Sequence, residues 1–216
     1  QAFAKHLSEA GITVDGEPSR AAASGGAREM ASVSSAPLSD ILALSLKTSD
    51  NTMTEVEGRL VAVHAKQSAD FAGASKAVIA QLGKDGFDTS GLTLLDASGL
   101  AKGNKVPARL LAQILAKAAG GEGGSAGRTL IADLPVAALD GTLTNRLHDT
   151  TAAGTVRAKT GSLERTSSLA GVVTTADGRL LAFSILANDF PANGGGAAAA
   201  VIDSHFVAPL ASCGCS

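Results

Sequence analysis

The chain has no Trp and no Tyr, and its aromatic side chains are six Phe among 216 residues. Its core must therefore be built from Leu, Val, Ile and Ala. Neither sign of charge dominates: 18 Lys and Arg stand against 20 Asp and Glu, so no single-sign field exists to recruit nucleic acid or an anionic membrane. No apolar run approaches the ~18 residues that a bilayer-spanning helix needs. Cysteine is scarce as well. Cys213 and Cys215 sit in the tail SCGCS, too few and too close for a zinc site or a disulfide framework, and the segment reads as a loose tail. At Gln1 there is neither an initiator Met nor a basic-then-apolar leader, so the expectation is a processed chain or a piece of a longer one. What is present, 45% hydrophobic residues over this length, suffices for one ordinary domain, which buries roughly 70% of its unfolded surface.

The pattern runs from helices to strands. Residues 1–12 place Phe3, Leu7 and Ala10 at helical spacing and stop at Gly11, and a Gly/Ser/Pro-rich linker follows to residue 27. REMASVSS (28–35) alternates enough to predict a strand. Pro37 opens a helix ending at Lys47, and Thr48 to Asn51 form a polar turn. A helix over 52–65 carries a capping-box signal in Thr52 and Glu55. Further helices are predicted over 72–83 and 107–119, with a loop between them. Gly120 to Gly127 reads as a surface loop, with helical pattern resuming at Arg128. TVRAKTGSL, SSLAGVVTTA and RLLAFSILAND then predict three strands, the last two joined through Ala176-Asp177-Gly178, and AAAAVIDSHFVAPL closes as a helix. The order implies an α+β fold.

Two tripeptides carry the chemical signal: Ser49-Asp50-Asn51 in the turn between two helices, and Lys159-Thr160-Gly161 in the first strand. Each is short enough to arise by chance; together, in this order and on these elements, they match two of the three motifs of β-lactamases and penicillin-binding proteins. The chain resembles that superfamily, and more narrowly the class C penicillin-binding proteins, the D-Ala-D-Ala carboxypeptidases/endopeptidases of family S13. Asp96-Ala97-Ser98-Gly99-Leu100 looks like the family's D-G-S-G-L, continued by Ala101-Lys102 where the family often has Ser-Arg. Asp140-Gly141-Thr142-Leu143 with Arg146 resembles D-G-T-L-x-x-R, and Ser168-Leu169-Ala170-Gly171 resembles the strand after KTG. The likeness covers residues 28–190 well and 1–27 loosely.

One departure outweighs the matches. The residues three positions before the lysines are never serine (Leu44 before Lys47, Val63 before Lys66, Gly73 before Lys76, Val156 before Lys159), so no S-x-x-K is present. The family carries that segment near its N-terminus, with extra domains inserted before the SxN turn. The resemblance therefore implies the C-terminal portion of a penicillin-binding/β-lactamase-like transpeptidase domain: residues 1–27 returning from the insertion, 28–210 completing the catalytic domain, and 211–216 a tail. A class A β-lactamase would need a deacylating Glu between the motifs. Of Glu55, Glu57 and Glu122, the first two lie in the helix after SDN and the third in a Gly-rich loop without the expected Asn four residues on, which argues against that enzyme.

The resemblance also assigns roles. Ser49 would relay a proton between the absent lysine and the leaving group, and Asn51 would hydrogen-bond the substrate's peptide carbonyl. Lys159 would hold Ser49 and attract the terminal carboxylate, which the hydroxyls of Thr160 and Ser162 would bind. Gly161 would let substrate lie along the strand, and the Ser162 N–H would be one oxyanion donor. Gly99, Leu100 and Lys102 would line the pocket for the stem's side chain. The implied activity is a serine-type D-Ala-D-Ala carboxypeptidase, with endopeptidase activity open, acting on peptidoglycan stems and inhibited by β-lactams. It needs no cofactor or metal and sits outside the cytoplasm of a bacterium. Its partners would be the stem ending in D-Ala-D-Ala, β-lactams, and the N-terminal part carrying S-x-x-K, with no nucleic acid.

Other readings stay open. SDN also suits a plain helix-junction turn, Lys159 a strand-edge lysine, and Asp96 to Leu100 a structural turn. Asp140 and Arg146 read as a structural pair. His6, His64, His148 and His205 lack ligand-spaced partners and read as surface or satisfied residues. The alternatives to the enzyme are a non-catalytic peptide-stem or penicillin-binding module, a β-lactamase, or an α+β domain with coincidental motifs.

Overall fold

The computed structural model describes residues 2–17 and 19–213. The chain divides into two units, Gln1–Ser35 and Ala36–Ser216. In the first, α1 (Ala2–Glu9) buries no residue, and Phe3 is exposed. Its exposed His6 bonds Glu9 at 3.0 Å. The strand expected over 28–35 is absent: the segment has no regular structure, and Met30 and Val33 lie open to solvent. Alternation supplies a face, but a strand exists only when its backbone groups find a partner, and none pairs with this segment among the described residues.

The second unit begins with α2 (Leu38–Thr48), entered at Pro37, whose fixed φ suits a helix start. A two-residue junction leads to α3 (Asn51–His64). The cap there differs from the capping box expected at Thr52 and Glu55. Asp50 is the N-cap and accepts from the Met53 N–H at 2.9 Å, which leaves Glu55 free to reach elsewhere. α4 (Phe71–Lys84) is capped by Asp70 and packs on α3 through Ala62, Ala74 and Ala77, all buried. After a loop pinned by a bridge between Thr93 and Lys105 comes α5 (Ala108–Ala119). α6 (Gly124–Asp133) starts four residues before the expected Arg128. The glycines read as a loop are its packing surface: a Cβ at Gly127 would lie 2.9 Å from the Ala118 Cα.

β1 (Val156–Leu163), β2 (Thr166–Thr174) and β3 (Leu180–Asn188) form an antiparallel sheet in the order β1-β2-β3. Lys159 pairs with Ala170 and Gly161 with Ser168. A continuous helical run follows: α7 (Gly195–Val201), a π-turn over Ile202–Val207, and α8 (Ala208–Ser212). The main core lies between sheet and this run, with Val156, Ala158, Leu169, Val173 and Phe183 against Ile202, Val207 and Ala211. α5 also packs on β2 and β3. The fold is thus α+β, helices followed by an antiparallel sheet and a closing helix. The tail departs from expectation at Cys213, which is disulfide-bonded; Cys215 lies outside the described residues.

Candidate active site

The site is assembled at the meeting of the α2–α3 junction with β1. Ser49 closes α2: its N–H bonds the Ser45 carbonyl, and its backbone takes the left-handed conformation, φ 55 and ψ 45. A non-glycine residue there carries a steric cost of roughly 1–2 kcal/mol, and such strain is typical of residues whose side chain must be aimed. The Ser49 hydroxyl meets the Lys159 ammonium at 2.7 Å, across 110 positions of sequence. Lys159 also donates to the Thr160 carbonyl at 2.9 Å. Burial pulls the Lys159 ammonium below the ordinary lysine value. Neither of those partners is anionic, and among the described residues no carboxylate pairs with Lys159, so the ammonium presents its charge to whatever enters beside it. Asn51 opens α3 with an exposed side chain.

β1 has two different edges. One pairs throughout with β2. The other is held by the segment 135–137, where Ala158 N–H bonds Pro135 and Ala137 N–H bonds Val156. Beyond Ala158 that edge is open among the described residues. The alternation of an antiparallel ladder therefore turns the backbone groups of Thr160 and Ser162 toward the open edge. Gly161 has a reason of its own within the sheet: a Cβ there would lie 2.3 Å from the Ser168 hydroxyl on β2. The Thr160 hydroxyl is 2.9 Å from that of Thr142.

Two polar networks organise the neighbouring segments. Asp96 is buried, and its carboxylate accepts from the Gly99 and Ala101 N–H groups and the Asn104 amide. Burial pushes this carboxyl up, but those hydrogen bonds outweigh it and hold it below its ordinary value. Glu55 completes the loop from α3: one oxygen accepts from the Ala97 and Ser98 N–H groups, and the other is buried without a partner among the described residues. Gly58 leaves room for Ala97 on α3, since a Cβ there would come to 2.6 Å. The loop is thus a built structure in which Gly99 takes a positive φ and Leu100 and Lys102 are exposed. Lys102 faces Glu164 at 3.5 Å. Asp140 and Arg146 are not a pair, contrary to expectation. Asp140 binds Lys47 at 2.7 Å, whereas Arg146 forks onto Asp203 at 2.6 and 2.9 Å. Each carboxylate took the cation that its own turn or helix faces.

The structure thus brings Ser49, Lys159 and Thr160 together. It puts Gly161 and Ser162 farther along the same strand and Asn51 two residues beyond Ser49, while Gly99, Leu100 and Lys102 belong to a separate loop. Glu55, Lys47 and Thr142 were not foreseen in their roles. Among the described residues, no cluster of His, Cys, Asp and Glu could hold a metal, and no helix is long and apolar enough to cross a membrane.

The model of the D-Ala-D-Ala carboxypeptidase 3 (S13) family matches residues 1–206, and the chain belongs to that family. It is 43% identical over 194 residues to the carboxypeptidase DacB of Mycolicibacterium smegmatis, covering 88% of this chain and 41% of that protein. It is 35% identical over 196 residues to a D-alanyl-D-alanine carboxypeptidase of Actinomadura, covering 86% and 35%. The crystal structure of Haemophilus influenzae penicillin-binding protein 4 in complex with a β-lactam is similar with a TM-score of 0.77 at 31% identity, covering 86% of this chain and 43% of that one. The fold is that of the penicillin-binding/β-lactamase-like proteins, and the chain spans about two fifths of the length of these relatives.

Proposed function

We propose that this chain is the C-terminal portion of the catalytic domain of a serine-type D-Ala-D-Ala carboxypeptidase acting on peptidoglycan stems. The S-x-x-K segment is supplied by an N-terminal part of the same enzyme. The observation that carries the reading is the contact of Ser49 Oγ with Lys159 Nζ at 2.7 Å beside an open strand edge. Family membership and the relatives named as carboxypeptidases support it. The exposed apolar side chains of the helical half, Leu44 on α2 and Val56, Leu60 and Val63 on α3, offer a surface for that N-terminal part. Residues 1–27 are assigned to the return from the inserted region, 28–210 to the catalytic domain and 211–216 to a tail.

In this reading the substrate peptide adds to the open edge of β1 as an extra strand. Its terminal carboxylate lies against Lys159, where the ammonium charge favours an anion, and takes hydrogen bonds from the Thr160 and Ser162 hydroxyls. The Asn51 amide bonds the peptide carbonyl. The serine of S-x-x-K gives its proton to the lysine of that segment and attacks the scissile carbonyl; the new C–O bond makes a tetrahedral oxyanion, which collapses with loss of the C–N bond to the terminal D-Ala. Ser49 hands a proton to the departing amine and takes one from the S-x-x-K lysine. The outward Ser162 N–H stabilises the oxyanion. Water then hydrolyses the acyl-serine. Gly99, Leu100 and Lys102 line the side-chain pocket of the stem. A β-lactam follows the same first step and stays attached. Such a substrate puts the enzyme outside the cytoplasm.

The test is acylation by a β-lactam, read by intact mass on the full-length natural protein that contains this chain. The parent gains one adduct. Lys159→Ala abolishes acylation, because it removes both the partner of Ser49 and the charge that attracts the carboxylate. An unchanged rate in that variant overturns the assignment. A parent protein that binds a stem peptide yet never acylates is a non-catalytic module instead.

A further inference from the structure

The proposed reaction uses residues at the α2–α3 junction and on β1, but nothing in it explains what keeps these two distant pieces in register. A short 3-10 turn, Gly141–Leu143, lies between them, touching both α2 and β1. We propose that Asp140, Gly141 and Thr142 form a positioning wedge: Asp140 holds the Ser49 turn through Lys47, and Thr142 aims the Thr160 hydroxyl at the substrate's terminal carboxylate. This inference rests on the functional reading above.

On the first side, Lys47 lies two residues before Ser49. Its ammonium is bound by both oxygens of Asp140, at 2.9 and 2.7 Å, and by the Leu134 carbonyl at 2.8 Å. Asp140 is fixed in turn by the Val136 N–H at 2.7 Å. That segment continues directly into the 135–137 stretch that clips onto β1 at Val156 and Ala158. The end of α2 is thereby tied to the strand that carries Lys159. Gly141 brings the backbones close. Its φ is +56°, and a Cβ there would lie 2.7 Å from the Lys47 carbonyl oxygen. A side chain at 141 would push the end of α2, and Ser49 with it, away from β1.

On the second side, the hydroxyls of Thr142 and Thr160 are 2.9 Å apart. Each hydroxyl has one proton and two lone pairs. Thr160 donates to Thr142 in the structure. When a carboxylate arrives, the Thr160 proton turns to it and Thr142 donates its own proton to the Thr160 oxygen. The pair reverses direction, no group is left unpaired, and only hydrogen bonds change. Thr142 therefore acts through Thr160 and touches no substrate atom.

The experiment uses the full-length natural protein and two probes, a β-lactam with its free carboxylate and the methyl ester of the same compound. Thr142→Val slows acylation by the carboxylate probe about tenfold more than by the ester, because Thr160, no longer held by Thr142, loses its aimed hydrogen bond to the charged carboxylate; Thr142→Ser restores the parent ratio. Because both rates come from one preparation, their ratio does not depend on the fraction that is folded. Asp140→Asn slows both probes alike, on the order of tenfold, as a displaced catalytic group would. A Thr142→Val ratio equal to the parent's, or Asp140→Asn rates equal to the parent's, overturns the wedge. A parent protein that takes up neither probe overturns the functional reading instead.

Discussion

Lys159 concentrates the proposed chemistry in one side chain. It is half-buried, it grips the Ser49 hydroxyl, and burial holds its ammonium below the ordinary lysine value of 10.5. The sign of the consequence follows. In the proposed reaction protonated Lys159 is the form that attracts a carboxylate, so its contribution to β-lactam acylation is full below the lysine's folded value and is lost as pH rises through it. The decline accordingly falls at a pH lower than 10.5. A pH profile of the acylation rate checks this, and a methyl ester probe, which presents no anion, shows a weaker decline. Ser49 and Lys159 could each be singled out in the sequence because their motifs are local. Their 2.7 Å contact spans 110 positions and became visible only in the fold. Glu55 shows how such distance misleads. Its spacing from Thr52 fitted a capping box, but Asp50 had already satisfied the Met53 N–H, and the glutamate turned 42 positions along the chain to hold Ala97.

At the scale of elements, β2 is the part on which the site most depends, because it sets the position of β1. Gly171 sits opposite Ala158, and a Cβ there would come within 2.1 Å of the Arg157 carbonyl and 2.5 Å of the Ala158 Cα. No flexible side-chain end is available to yield, so the strand backbone must move. Gly171→Ala is expected to destabilise the protein by about 1–3 kcal/mol, the ordinary cost of overpacking, measured as a lower urea midpoint at unchanged slope. The three strands were legible because alternation and a Gly-containing turn are short-range signals. The segment 28–35 alternates too, but among the described residues no strand pairs with it, and it takes no strand form. The first turn of α6 was hidden for the opposite reason. Its glycines look like a loop, yet their missing side chains are what let it approach α5 at Ala118.

For the molecule as a whole, length and composition foretold a domain with an aliphatic core, and the second unit has one between the sheet and the closing helical run. The helical half is built differently. Its buried hydrophobic cluster between α3 and α4 consists of alanines, while Leu60, Val63 and Phe71 stay exposed. That asymmetry, the lack of any S-x-x-K, and the two fifths of relatives' length that the chain spans fit one account, in which this chain carries two of the three motifs of an acylating site. The most direct test is to map the β-lactam adduct on the full-length natural protein by peptide mass. The account predicts a single modified serine, within an S-x-x-K sequence outside these 216 residues. An adduct on Ser49, or on any other residue of this chain, would contradict it.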